Sequence, residues 1–387
     1  MRKENIMKKT IINVRHYLAA TLFAVLVCLL FGLNTNAATT GKAYVSVEKF
    51  AIGQGYLIEP CEVTITNGEK ASQVIDRVLK ANGYEYTLAS YSFWYLSGIK
   101  NADSGKINVP KCVTAIGQSD LNPKSGKDLS EYDYSDQSGW YYFVNNESPN
   151  VGADQYEVHD GDVIRFRFTL FGYGADLGCP YGDYLLLPNL DSLTKSMAIF
   201  NANKQLCVEK GYQAAYNEAL SFASNMDAHY IDEGVSGHTK KEIEAKIQSL
   251  CSKLPTEVTI NQWKAEKAAA EQAAAQQAAA QAEEARKVAL YTPAVPTLKS
   301  VKSTKTRTAV ITWKKNKKAT GYEIYMSTKK ASGYKKITTV KSWKKVTYTK
   351  KKLKKNKKYY FKVRAYKTAE GKKYYSAYSK VKAVKVK

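Results

Sequence analysis

The chain has 387 residues, which allows one to three domains, and its 59 Lys and Arg against 35 Asp and Glu give a formal net charge of +24. The charge is unevenly spread: residues 1–38 carry net +4, residues 39–290 net −9, and residues 291–387, with 31 Lys and Arg against Glu323 and Glu370, net +29. Such asymmetry points to an interaction tail or a retention device rather than to fold, and in an exported chain it leaves no nucleic-acid partner. Export is expected from residues 1–38. Arg2, Lys3, Lys8, Lys9 and Arg15 precede an apolar core of 16 residues from Leu18 to Leu33, and Thr35-Asn36-Ala37-Ala38 suits cleavage. The alternative, an N-terminal anchor, meets the objection that 16 residues is short for a span. The mature chain is therefore expected to be secreted, extracellular or cell-wall associated.

Residues 41–185 read as an α+β domain. Tyr44–Phe50 and Leu57–Ile65 alternate as strands, and Asn67-Gly68 turns the chain. Ser72 is expected to cap a helix with the stripe Val74, Ile75, Val78 and Leu79, ending at Asn82-Gly83. Tyr84–Tyr91, the aromatic patch Phe93-Trp94-Tyr95 and a polar, Gly-rich insertion from about Lys100 to Gln137 follow. Trp140, Tyr142 and Val144 alternate with Tyr141 and Phe143 in a strand; Asn145-Asn146 tolerates the positive φ of a tight turn; and a second apolar run, Val163 to Phe168, is punctuated by Arg165 and Arg167. The order strand, strand, helix, strands suits a small β-grasp-like domain with one helix across a mixed sheet.

Several of these segments, in this order, resemble the C-terminal β-domain of transcobalamin and intrinsic factor, and more closely an uncharacterised bacterial surface family that shares it. They are the helix with its stripe, Tyr95-Leu96-Ser97-Gly98-Ile99, Gly139 to Asn146, Val151-Gly152-Ala153-Asp154-Gln155-Tyr156, and Asp160-Gly161-Asp162-Val163-Ile164. The resemblance implies a ligand-binding fold, with cobalamin as one ligand. The chain lacks the length and repeat pattern of the α/α-barrel with which the vitamin carriers close their site, and the Lys100–Gln137 insertion is a further departure. Gly172-x-Gly174, with Cys179-Pro180 where a helix would start, reads as a turn and not as a dinucleotide loop.

Residues 191–255 change to helical period. Leu193, Met197 and Phe200, then Tyr212 to Ala223, then Ile243, Ile247, Leu250 and Leu254 mark a helical bundle or hairpin, similar to the three-helix spacers of Gram-positive surface proteins. Residues 262–290, rich in Ala, Gln and Glu, have high helix propensity and no wide apolar face. They suit a solvated spacer that reaches ~40 Å, or else a coiled-coil strand with a poor seam. Tyr291-Thr-Pro293-Ala-Val-Pro296 breaks the helix and opens residues 293–387, where some seven short alternating strands predict a β-sandwich. Trp313, Leu353 and Tyr359-x-Phe361-x-Val363-x-Ala365 resemble a fibronectin type III domain, which implies that the Tyr359 hydroxyl ties a loop back to the backbone.

Convergent catalytic groups are few, and the chain is not expected to be an enzyme or to carry a resident cofactor. His159 belongs to a turn. Asp227, His229, Asp232, Glu233 and His238 match no compact metal pattern and read as a solvated helix–helix loop, and Glu131, Asp133 and Asp136 lack the features of a calcium loop. Trp94, Tyr141, Asn145 and Asn146 are the candidate ligand-binding residues, for a flat small molecule, a glycan or a protein. Lys350, Lys351, Lys352, Lys354, Lys355, Lys357 and Lys358 are the candidate polyanion-binding set, suited to an anionic cell-wall polymer or envelope surface. Cys61 with Cys112, and Cys207 with Cys251, are candidate disulfides, each joining cysteines of one expected domain; free buried thiols are the alternative. The expected whole is a surface protein of a Gram-positive-type bacterium with three parts: an acidic recognition head, a helical stalk and a basic foot.

Overall fold

The computed structural model describes residues 41–90, 94–117, 121–180, 184–232 and 237–387, so the expected leader lies outside the described residues. Two compact units divide between Lys264 and Ala265. The first begins with β1 (Gly41–Glu48), β2 (Tyr56–Ile65), α1 (Ala71–Ala81), β3 (Tyr86–Leu88), β4 (Leu96–Ile99), α2 (Lys111–Ile116), β5 (Leu129–Ser130), β6 (Gly139–Val144) and β7 (Val163–Thr169). It continues through α3 (Asp191–Ala202), α4 (Lys204–Glu209), α5 (Gln213–Ser224), α6 (Lys240–Lys253) and the start of α7 (Glu257–Tyr291).

The main sheet has the order β2-β1-β7-β6, with β1 and β7 parallel and both flanking pairs antiparallel. This is the mixed sheet that the strand and helix order implied. Val45, Val47, Ile164, Phe166 and Phe168 point to one face, where Val74, Ile75, Val78 and Leu79 of α1 cover them. Ser72 does not cap α1. It is the helix's second residue and is buried, while the Gln73 side chain accepts a 2.8 Å hydrogen bond from the N–H of Lys70, the capping position. The Lys100–Gln137 insertion is also less independent than its polarity suggested, because Ala102, Cys112, Val113, Leu129 and Tyr134 enter the same core.

Residues 191–255 are not a separate bundle. Leu193, Met197 and Phe200 of α3, Tyr216 of α5 and Ile243, Ile247 and Leu250 of α6 share one core with Tyr44 and Val163 on the opposite face of the sheet. A polar tie reinforces the join. Tyr216 donates to Glu59 at 2.7 Å, and the Asn201 amide donates to the Pro60 carbonyl at 2.9 Å. The helical layer therefore belongs to the first unit. The first turns of α7 join it through buried Ile260 and through Trp263, whose ring lies 5.5 Å from that of Tyr212. The Ala-rich residues beyond are almost all exposed.

Under the helices lies a buried charge cluster. Arg165 on β7 grips Glu48 on β1 through two hydrogen bonds of 2.8 and 2.9 Å, and Ser46 donates to the same carboxylate at 2.7 Å. Arg167 reaches the Leu177 carbonyl at 3.0 Å and lies over the Phe143 ring at 4.7 Å. Glu48, Arg165 and Arg167 are 1, 2 and 5% exposed. Burial opposes ionisation of Glu48, but Arg165 holds its carboxyl below the usual range. Burial and the neighbouring Arg165 pull Arg167 down to about 10.

The expected disulfides are absent: Cys61, Cys112, Cys207, Cys251 and also Cys179 are free thiols. Each has its own packed surroundings. Cys61 lies opposite Val45 on β2, Cys112 on a helix held by Asp227, Cys207 within the helical core, and Cys251 near the Ser192 hydroxyl. Burial pushes Cys61 to about 11 and also raises Cys112, Cys179 and Cys207, which keeps these thiols protonated and unreactive.

The second unit is the expected sandwich. Its strands are β8 (Leu298–Lys302), β9 (Ala309–Trp313), β10 (Gly321–Ser327), β11 (Lys335–Val340), β12 (Thr347–Lys350), β13 (Lys358–Ala369), β14 (Lys372–Tyr375) and β15 (Lys382–Lys385). One sheet runs β12-β9-β8; the other runs β11-β10-β13-β14, with β15 also on β13. Trp313, Tyr322, Ile324, Phe361 and Val363 fill the space between them. The Tyr359 hydroxyl accepts from the Lys354 N–H at 3.1 Å, as its position after Leu353 implied. Between β14 and β15 the Ser376 and Ser379 hydroxyls accept from the N–H groups of Ala365 and Val363 and replace part of the ladder.

Two outcomes test this packing. Glu48→Gln leaves two buried guanidiniums without their carboxylate and should lower unfolding stability by about 3–5 kcal/mol in urea titrations of the full chain; a loss below about 1 kcal/mol would contradict the cluster's role. His229 is buried under the helices, and burial pulls it down to about 4 from 6.5. Its neutral form is favoured on folding, so its contribution is complete above pH 6.5 and is lost as pH falls towards 4. Buried Asp176, pushed up to about 6, works in the opposite direction. The difference between parent and His229→Phe isolates the histidine: the variant should lose stability less steeply over this window, and equal slopes would refute the assignment.

Candidate functional site

β6 is an edge strand, and a cleft of about 1050 Å³ opens around it. Trp94, Tyr95 and Leu96 form one wall, residues 146–153 a second, and Gly178, Cys179 and Pro180 a third. The strand's period decides what each of its faces contributes. Tyr142 stacks on Phe166 at 5.8 Å, and Trp94 meets the same ring edge-on at 6.4 Å. On the other face, Tyr141 packs with Phe143, Leu177 and Cys179. The cleft thus wraps the edge strand from one face of the sheet to the other.

Local chemistry holds the walls. Asn145 and Asn146 have φ of +51° and +65°, and Val144 and Glu147 exchange backbone hydrogen bonds of 2.8 and 3.0 Å across them, the two-residue turn expected of an Asn pair. The Tyr142 hydroxyl donates to the Val151 carbonyl and pins the following loop; burial raises this phenol to about 12, so it stays a donor. The third wall depends on the turn at Gly172–Leu177. Its buried Asp176 carboxylate accepts from the Leu170 N–H at 2.7 Å and from the Thr169 hydroxyl. Gly174 there has φ +99°, and a Cβ would stand 3.0 Å from the Cys179 sulfur and 3.3 Å from Tyr141, so a side chain would push both out of place. At Gly139 a Cβ would meet the Tyr95 hydroxyl at 2.4 Å, so the bare backbone is what lets Tyr95 lie against β6.

Of the four candidate ligand-binding residues, Trp94, Tyr141 and Asn146 line the cleft and Asn145 does not. The Asn145 amide donates to Asp162 at 2.8 Å, and its oxygen accepts from the Val163 N–H at 3.0 Å, which locks the turn to the start of β7. Asp162 also accepts from the His159 N–H at 2.8 Å, in keeping with turn chemistry at His159. Phe93 lies outside the described residues. The loop after Asn146 and the Gly178–Pro180 wall were not foreseen; the Glu147-Ser148-Pro149-Asn150 run behind a tight turn was the available signal for the first.

The expected solvated loop at Asp227–His238 is corrected in part. Asp227 accepts from the N–H groups of Lys111 and Cys112 at 3.1 and 2.9 Å and caps α2. His229 is buried, with Nε2 3.3 Å from the Ala223 carbonyl. Asp232 and His238 form a β-bridge, and Glu233 lies outside the described residues. Among the described residues no group of three or more His, Cys, Asp or Glu is placed to hold a metal. Asp133 turns its carboxylate to the Ser130 N–H at 2.6 Å, a local turn contact.

In the second unit Lys351, Lys352, Lys354, Lys355, Lys357 and Lys358 are exposed and Lys350 is half-buried, all on the β12–β13 connection and its flanks. Lys352 and Asn356 have positive φ, and the inward turn of Leu353 leaves the neighbouring lysines outside. No helix among the described residues is long and apolar enough to cross a membrane.

Comparison with known proteins adds limited context. Residues 126–169, from the insertion through β7, match the model of a domain of unknown function, DUF4430. No curated protein matches the chain. Among solved structures, a β-1,2-glucanase from Parabacteroides distasonis is 26% identical over 23% of this chain and 12% of its own, with a TM-score of 0.21. A fibronectin type III domain from the human KIAA0970 protein is 20% identical over 23% of this chain and 71% of its own, with a TM-score of 0.20. Haptocorrin in complex with Cbi is 17% identical over 35% of this chain and 26% of its own, with a TM-score of 0.23.

The two asparagines differ in what their side chains hold: Asn145 bonds Asp162 and Val163, and Asn146 lines the cleft. Asn145→Ala removes two hydrogen bonds and places alanine at φ +51°, and should cost about 2–4 kcal/mol in chemical denaturation. Asn146→Gly, which keeps the turn conformation, should change stability by less than about 0.5 kcal/mol. Equal losses in the two variants would contradict this division.

Proposed function

We propose that this chain is an exported recognition protein. Its first unit takes a small ligand with flat, partly apolar surfaces in the cleft beside β6, and its basic sandwich holds the molecule to an anionic polymer of the cell envelope. The observation that carries the reading is the cleft itself. A space of about 1050 Å³ has aromatic rings from both faces of one strand and a polar wall supplied by Asn146, Glu147, Ser148 and Asn150. Concave sites that join aromatic and apolar contact area to convergent polar groups suit small-molecule recognition, and this cleft is lined about equally by the two. Trp94 and Tyr141 supply contact area, and Asn146 supplies donors and acceptors at the rim. Retention through charge is supported by net +29 within residues 291–387.

A corrinoid is the specific ligand to test first, followed by short glycans. Cobinamide and cyanocobalamin, then oligosaccharides of two to six sugars, are titrated into the full chain while tryptophan fluorescence and calorimetric heat are followed. A binding probe should quench the fluorescence, and Trp94→Ala should weaken its affinity tenfold or more, equivalent to about 1.4 kcal/mol. Failure of every probe to bind, or unchanged affinity in Trp94→Ala, would contradict the assignment.

A further inference from the structure

The lysine-rich β12–β13 connection is the obvious basic feature of the second unit, but a more ordered one occupies the outer face of its larger sheet. Tyr322, Ile324, Phe361 and Val363 point into the sandwich, so Glu323 and Tyr325 on β10 and Lys362 and Arg364 on β13 point out of it. Register places Glu323 opposite Arg364 and Tyr325 opposite Lys362. Tyr378, from the segment between β14 and β15, lies across this row.

The cations on this face are clamped by rings. The Lys362 ammonium stands 3.8 Å from the centre of the Tyr378 ring and 4.4 Å from that of Tyr334. The Arg364 guanidinium is 3.9 Å from Tyr375 and 5.3 Å from Tyr378. Tyr325 meets Tyr378 edge-on at 5.0 Å, and Tyr378 remains 38% exposed. Ring contact orients these charges and strips part of their water, which strengthens any anion contact made there.

Counter-charge within this stretch is scarce. Glu323 and Glu370 are the only acids in residues 291–387. Glu323 is used by Arg364 at 2.7 Å and Lys336 at 3.1 Å, and Glu370 by Lys287 at 2.6 Å. Lys362 has ring partners but, among the described residues, no carboxylate in ion-pair contact. Glu323 serves Arg364 and Lys336 on this face, which leaves Lys362 as the cation whose complement can come from outside. Of the exposed lysines of the β12–β13 connection and its flanks, Lys358 lies over the Tyr360 ring at 5.8 Å, a looser contact than the closest ones of Lys362 and Arg364. Here charge and partly exposed tyrosines alternate, which fits a polymer with both anions and flat apolar faces.

We propose that this tyrosine–cation face of the larger sheet is a binding surface for an anionic polysaccharide, with sugar rings against Tyr378 and Tyr375 and carboxylates or other anions at Lys362, beside the Arg364–Glu323 pair. The assignment rests on the reading of the second unit as a polyanion binder and specifies its surface and its ligand class. The lysine connection then adds only unspecific attraction.

The test uses the full chain with polygalacturonate, ring-free polyphosphate of matched charge and neutral dextran, at low and moderate salt. Two variants are compared: Tyr378→Ser with Lys362→Gln on the face, and Lys351→Gln, Lys352→Gln and Lys354→Gln on the connection, each checked for an unchanged melting transition. The face variant should lose at least tenfold affinity for polygalacturonate and the connection variant less than threefold, while polyphosphate should bind more weakly than polygalacturonate and dextran not at all. If the connection variant loses as much as the face variant, or the two polyanions bind alike to both, the surface assignment is overturned but the polyanion reading survives. If neither polyanion binds even at low salt, both fall.

Discussion

A carboxylate under a helical layer is the constraint around which the first unit is built. Glu48 sits at the buried end of β1, and it is kept ionised in the interior chiefly because Arg165 grips both its oxygens, with Arg167 and Ser46 adding to the effect. Such a pair is worth less than its Coulomb energy suggests, because both ions are taken out of water. Its consequence is geometric. β1 and β7 must stay in parallel register for the two residues to meet, and the helices must stay in place to keep water out. The sheet is thus committed to two covered faces, and the sheet and the helices become one body.

The same sheet order makes the cleft. β7 lies inside the sheet, so β6 is left at its edge, where proteins usually blunt or cover an unpaired strand. Here the cover is partial. Trp94 and Leu96 close over one side, and the turn stabilised by Asp176 brings Gly178–Pro180 to the other. The space between is lined by rings that pack on one another, so the site's shape is set by the core and not by mobile side chains.

Much of this was legible in the sequence, and what was missed has a common origin. Period two located β6 and β7, the Asn pair announced its turn, and Tyr359 announced the loop it holds. Arg165 and Arg167, alternating with Ile164, Phe166 and Phe168, stood out only as charged punctuation of an apolar run. Periodicity reports which residues share a face but not what covers it. The stripe of Leu193, Met197 and Phe200 likewise declared a buried helix face without naming the sheet as its partner. Asn145 and Asn146 were indistinguishable as sequence and have different surroundings, because one side chain reaches Asp162 and the other lines the cleft. Composition correctly isolated the basic sandwich, yet a count of lysines favoured the β12–β13 connection, whereas the interleaving of Lys362 and Arg364 with tyrosines requires the strand register to be seen.

Sheet and helices of the first unit form one cooperative body held through Glu48. Native-state hydrogen exchange on the full chain tests it most directly. Amides of β1, β7, α3 and α6 should open with a common free energy, and Glu48→Gln should lower all of them together. Exchange of α3 and α6 at a markedly lower free energy than the sheet, unmoved by that substitution, would contradict it.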